Sequence, residues 1–246
     1  MAVKPLQGVQ RGLLVLEALA EHQPVGVAAL ARLLGEDKSA LQRVLVTLHA
    51  AGWIRPTGDE VTRWELSTRP LVVVGQAQRR SGLVARARPI MEALREATGE
   101  TVILAVPDAG RVVTVAVVES RHLVRTAPHV GMVLPPLASA ASFAIFAGLP
   151  DDEVAEYVGV DVDDAFRAEL ARTRAAGWSL NAGAVDARAT SIGAPVLDAD
   201  RRPVAALAVS APTDRLPRSR FAATGALVAQ AGAALGQATS DLAAVG

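Results

Sequence analysis

The chain has 246 residues, with 25 Lys and Arg set against 25 Asp and Glu, so its formal net charge is zero. That length can bury one large core or two modest ones, and with aromatics at 3% the core must be built from Ala, Val and Leu. Cysteine is absent, which excludes disulfide scaffolds, thiolate nucleophiles and Cys-ligated zinc. The charge balance conceals an asymmetry. Residues 1–80 carry 10 basic and 7 acidic side chains and residues 81–246 carry 15 and 18, giving +3 and −3. A basic first third joined to an acidic remainder suits a phosphate-facing module attached to something else. The opening MAVKPLQGVQRG has no signal-peptide apolar run, and no apolar stretch reaches membrane-spanning length. A cytoplasmic protein with no membrane partner is the expectation.

Leu6 to Ala20 places Val9, Leu13, Leu16 and Leu19 at helical spacing, and Gln23-Pro24-Val25-Gly26 breaks that helix. Val27 to Leu34 predicts a second short helix, closed by Gly35. A third helix runs from Lys38 to Ala50, with Asp37 as N-cap and an apolar stripe of Leu41, Val44, Leu45 and Leu48. Ser39, Gln42, Arg43 and Val46 lie off the stripe. Two short helices joined by a tight Gly-containing turn make a helix-turn-helix. Gly52 ends the third helix. Trp53 to Arg55 then reads as a strand, Pro56 to Glu60 as a turn and Val61 to Leu66 as a returning strand, a hairpin in the position of a wing.

Leu71 to Arg80 predicts a linker helix, although its Val-rich start also permits a strand, and Arg88-Pro89 starts another helix that Gly99 closes. The pattern then changes. Thr101 to Val106 and Arg111 to Val118 are β-branched runs around the turn Pro107 to Gly110, and Leu123 to Thr126 predicts a short strand. Ala138 to Gly148 reads as a buried helix, and Asp151 to Val158 and Asp164 to Ala175 as amphipathic ones. Trp178 to Asn181, Ser191 to Leu197 and Val204 to Ser210 are further strands, and Arg218 to Leu242 a long Ala-rich helix. The fold class is therefore α+β, with an antiparallel sheet after residue 81.

The strings VQRGLLVLEALAE, KSALQRVLVTLHAAGWIR, TGETVILAV, LPPLASAASFAIFAGLP and TSIGAPVLDADRRPVAALAVSAP, in that order, resemble the IclR family of bacterial transcription regulators nearly end to end. The resemblance implies a winged helix-turn-helix DNA-binding domain over residues 1–68, a linker helix over 69–82 and a GAF-like effector-binding domain over 83–246. It implies a homodimer or tetramer that binds a palindromic operator in double-stranded DNA under control of a small-molecule effector, without a cofactor. Two-fold pairing sets the half-site spacing.

Base-edge candidates are Ser39, Ala40, Gln42 and Arg43, since Gln can pair bidentately with adenine, Arg with guanine, and Ala can meet a thymine methyl. Lys38, Arg55 and Arg63 are candidates for phosphate contacts, which position rather than specify. By the same resemblance the effector pocket falls at Asn181, Ser191, Ala208 and Ser210, with small apolar lining at Leu137, Ala138, Ser139, Ala140 and Ala141. Asn181 and Ala208 stand where such members carry an acid and a hydroxyl, Phe143 replaces a common glycine, and Ala184 replaces an acid. These departures favour a less polar effector, a smaller cavity, or a site that has been lost.

The competing readings are a winged-helix protein without effector control and a hydrolase using the C-terminal domain. No Gly-x-Ser-x-Gly elbow, Walker loop or His-Glu-x-x-His motif is present. His122 and His129 could share a loop near Glu119, but the spacing of Ser191, Asp198 and His129 recommends no triad. No catalytic or metal site is expected.

Overall fold

The computed structural model describes residues 4–243, except for 60 and 161. It divides into two compact units, residues 1–80 and 81–246. In the first, helices α1 (Gln7–His22), α2 (Val27–Leu34) and α3 (Lys38–Ala50) are followed by strands β1 (Ile54–Pro56) and β2 (Trp64–Leu66). Val15 and Leu19 of α1, Leu30 of α2, Leu41 and Leu45 of α3, and Ile54 and Trp64 of the hairpin form one buried cluster. Each fully buried Leu contributes about 1.5–3 kcal/mol, so these few side chains fix how α3 is presented. Val25 pairs with Trp64, exchanging backbone hydrogen bonds of 3.1 and 2.9 Å, which ties the α1–α2 connection to the hairpin. Gly35 closes α2 at φ 64°, a left-handed conformation that its missing Cβ permits without strain. The turn between α2 and α3 is tight for that reason.

The predicted returning strand is shorter than its sequence suggested. Val61 is 73% exposed and buries nothing, so the ladder starts at Trp64, where the core begins. Glu60, placed in the turn by its sequence, lies outside the described residues. Helix α4 (Arg69–Ser81) follows.

The second unit opens with α5 (Leu83–Thr98), which starts before the predicted Arg88-Pro89 and carries Pro89 inside it. Leu83 and Val84 pack on the same core as Ala87, Met91 and Leu94, and that longer apolar face outweighs the hydrogen bond that Pro89 cannot donate. The remaining elements are β3 (Thr101–Asp108), β4 (Arg111–Val118), β5 (Val133–Leu134), α6 (Ala140–Phe146), α7 (Asp151–Val158), α8 (Asp164–Ala176), β6 (Ser179–Ala182), β7 (Ala189–Leu197), β8 (Pro203–Pro212) and α9 (Phe221–Ala243).

The six strands form one antiparallel sheet in the order β5-β4-β3-β8-β7-β6. Alternation along the strands divides the core in two. Val102, Leu104, Ile192, Val196, Leu207 and Val209 face α5 and α9, whereas Ile103, Ala105, Ala206 and Ala208 face α6 and its neighbours. The strand predicted at Leu123–Thr126 is absent. Leu123 is 95% and Val124 69% exposed, and the segment's carbonyls accept from side chains instead, Val124 from Arg215 at 2.8 Å and Thr126 from Thr101 at 3.3 Å. Strand β5, which the sequence did not suggest, is two residues long and runs into Pro135-Pro136.

Candidate functional site

Helix α3 begins on a capped turn. Asp37 accepts from the Ala40 amide at 2.9 Å, and the Ser39 hydroxyl donates to the same oxygen at 2.6 Å. The Ser39 hydroxyl, with the Ala40 amide second, holds the Asp37 carboxyl below its ordinary range. The hydroxyl hydrogen of Ser39 is thereby committed to the cap, which leaves its oxygen lone pairs for an exocyclic amino donor on a base. Leu41 and Leu45 are buried and Val44 and Leu48 half-buried, so Lys38, Ser39, Gln42, Arg43 and Val46 are left on the exposed side. Lys38, Gln42 and Arg43 make no side-chain hydrogen bond or ion pair among the described residues. Ala40 is placed differently. It is half-buried and lines an apolar groove of about 750 Å³ between α1 and α3, beside Val44, Thr47 and Leu48.

The hairpin carries the other two cations, and both are engaged. Arg55 and Glu65 are register partners across β1 and β2, with Nε to Oε1 at 2.7 Å. Arg63 reaches Asp59 at 3.2 Å within the turn. Exposed pairs of this kind hold by about 0.2–1 kcal/mol, little enough for a phosphate to displace the carboxylate.

In the second unit the register sets Asn181, Ser191, Ser210 and Thr101 directly opposite one another across β6, β7, β8 and β3. They form one polar row on the sheet face that carries α6. Ala208 lies two residues along β8 on that face, opposite Gly193. Asn181 is 6% exposed, and its Oδ1 accepts from the Ala184 amide at 2.8 Å, so its amino group remains as a donor. Ser191 and Ser210 are half-buried. The row contains no ionisable group.

The start of α6 sits over the next position. A Cβ on Gly193 would lie 2.8 Å from the Ala140 carbonyl oxygen, and Ser179 Oγ donates to that carbonyl at 2.5 Å. Ser139, Ala140 and Ala141 are buried at this junction, whereas Leu137 is 53% exposed and Ala138 intermediate. Phe143 does not offer a free ring to the row. It is buried with its ring 5.2 Å from Phe166 of α8.

Thr101 and Val46 were read from the sequence as a strand start and an off-stripe helix position, not as site candidates. Thr101 enters the row only through the β3–β8 register, which no local pattern reveals. Val46, 54% exposed, was legible as an apolar residue off the buried stripe of α3. The triad reading finds no support. Ser191 and Asp198 are separated by the length of β7, and Glu119 is paired with Arg125 at 2.7 Å. No cluster of three His, Cys, Asp or Glu suited to a metal occurs among the described residues, and none of their helices is long and apolar enough to cross a membrane.

Two family models match the chain, the IclR helix-turn-helix domain over residues 8–58 and the bacterial transcriptional regulator IclR C-terminal domain over residues 75–237. The transcriptional repressor IclR of Escherichia coli is 29% identical over 244 residues, covering 94% of this chain and 89% of that protein. The acetate operon repressor of Salmonella typhimurium is 29% identical over 240 residues, covering 92% and 87%. In three dimensions the chain superposes on an IclR transcriptional regulator from Alicyclobacillus acidocaldarius with a TM-score of 0.83 at 18% identity, covering 96% of this chain and 100% of that one. With both domain models matched in order on a winged helix and an antiparallel α+β unit, the chain belongs to the IclR family of bacterial transcriptional regulators.

Proposed function

We propose that the chain is a repressor that binds a palindromic duplex operator as a homodimer or tetramer, and that a small effector in the C-terminal unit controls that binding. The observation that carries the DNA reading is the exposed side of α3. Lys38, Ser39, Gln42 and Arg43 stand clear of the core while Leu41 and Leu45 anchor the helix, and a wing bearing Arg55 and Arg63 follows. A helix of 13 residues with hydrogen-bonding side chains outward fits a major groove, and wing arginines suit phosphates or a minor groove. Domain boundaries at residues 68 and 82 give the linker role to α4.

The effector reading rests on the row of Asn181, Ser191 and Ser210 beside the start of α6. One amide and two hydroxyls, with no charged group among them, suit a carbonyl or carboxylate whose remaining body is weakly polar. Ala208, on the same face of β8, adds an apolar position at that end of the row.

The deciding experiment measures duplex binding by fluorescence anisotropy across a salt series, using DNA from the protein's own promoter region. Specific binding that weakens steeply with salt supports the reading. Absence of salt-sensitive binding to that DNA overturns it, and repression is read from a promoter fusion with and without the protein.

A further inference from the structure

Strand β6 pairs with β7 only from Thr190 to Gly193, so the far half of β7, paired to β8 on one side, has no strand on the other. That vacancy opens into a groove of about 850 Å³ between the end of α6, the end of α8, the β7–β8 turn and α9. The volume lies within the range of small-molecule sites. The groove shares no residue with the row of Asn181, Ser191 and Ser210.

Its walls are unusually bare. Ala144, Ala147, Ala229, Ala233 and Gly236 present almost no side chain to the space. Two cations stand at its rim, Arg174 of α8 and Arg201 of the β7–β8 turn. Arg174 is held by one bond, Nη1 to the Ala147 carbonyl at 3.0 Å, which leaves its other guanidinium hydrogens unassigned. Arg201 makes no side-chain hydrogen bond or ion pair among the described residues, and it occupies a left-handed conformation at φ 61° that a non-glycine residue adopts at a cost. A third polar group is orphaned. Thr173, 3% exposed, is among the residues lining the groove, and its buried hydroxyl has no hydrogen-bond partner among the described residues.

Asp198 also lines the groove, and its Oδ1 accepts from the amides of Asp200 and Arg202. Two guanidinium groups against one carboxylate leave a single surplus positive charge. That balance suits a monoanion better than a phosphate dianion, and guanidinium forks match carboxylate geometry. We propose that the groove is a second ligand site, separate from the row, for a monocarboxylate with an aromatic or aliphatic body. Arg201 and Arg174 meet its carboxylate, and the alanine and glycine wall takes its body.

The test is isothermal titration calorimetry of the full chain with 1-naphthylacetate, with 1-naphthylacetamide as the neutral isostere. Saturable binding of the acid is expected, with the amide weaker by roughly tenfold or more because the charge-assisted bonds are lost. Arg201→Gly, which removes the charge and is at home at that φ, should weaken the acid similarly. Ala233→Leu should abolish uptake by filling the wall, and Arg174→Gln decides the matter if that variant misfolds. Any heat that Ser191→Ala removes belongs to the row, and the binding that Arg201→Gly weakens should persist in Ser191→Ala. No saturable binding, equal affinity for acid and amide, unaltered binding by the arginine variants, or loss of binding in Ser191→Ala would each overturn the proposal.

Discussion

Arg55 and Glu65 face each other across the wing at 2.7 Å, so a cation proposed to meet a phosphate is neutralised by its own cross-strand partner. The pair is exposed on the arginine side, 63% against 30% for the glutamate, and costs little to open. Glu65→Gln should therefore strengthen binding to any duplex and steepen the slope of log K against log salt by roughly one ion. Anisotropy titrations on specific and random DNA check this, and an unchanged slope would show that Arg55 never reaches a phosphate.

The exposed side of α3 and the wing should separate on mutation. Arg43→Ala should cost about 1–3 kcal/mol on the operator and relax preference at one base position. Arg63→Ala should weaken all sequences alike and flatten the salt dependence. Binding to a set of single-base operator variants distinguishes the two. Equal losses across the set for Arg43→Ala would reassign it to the backbone.

The cap on α3 makes that helix sensitive to acid. The Asp37 carboxyl is held below its ordinary range by the Ser39 hydroxyl and the Ala40 amide, so its folded pKa lies below its unfolded one. A depressed carboxyl stabilises above its unfolded pKa and loses that contribution as pH falls through the folded one. Asp37→Ala should lower the melting temperature at neutral pH, and the deficit should shrink at pH well below the carboxylate range. Asp37→Asn, another good cap, should remove the pH dependence while keeping most of the stability. Thermal melts across pH measure both.

Gly193 is the point at which the sheet and α6 touch. Gly193→Val forces a side chain into the Ala140 carbonyl, 2.8 Å from where its Cβ must sit, and should destabilise the second unit by about 1–3 kcal/mol. Urea unfolding reads that loss. Because Ala140 and Ser191 lie on either side of the contact, any effector response should fall in the same variant.

The first unit was legible because its signals are local. Asp37 as cap, Gly35 as stop and the stripe Leu41, Leu45 sit within a few residues of what they control. The linker was less so, since the Val-rich start of its predicted helix, Leu71 to Val74, also permitted a strand. The second unit carried its errors where pairing is distant. Leu123 to Thr126 had the composition of a strand but no neighbour to bond, and β5 had a neighbour but hardly any length. Among the candidate site residues, the family pattern drew Asn181, Ser191 and Ser210 together and the register gave the reason. Thr101, more than a hundred residues from Ser210, shares that row only because β3 lies against β8.

The short β6 has one more consequence, for how copies of this chain can associate. The half of β7 that it leaves bare contains Pro195, which has no amide hydrogen to donate, and α9 closes on it so tightly that a Cβ on Gly232 would lie 2.6 Å from the Pro195 carbonyl oxygen. At the opposite end of the sheet, β5 runs into Pro135-Pro136 after two residues. Pro195 at one end and Pro135-Pro136 at the other thus interrupt the bare stretches at those points, which makes them poorer templates for an incoming strand. Under the proposed two-fold assembly, copies of the chain would meet through side-chain surfaces at these points and not by extending the sheet from one molecule into the next.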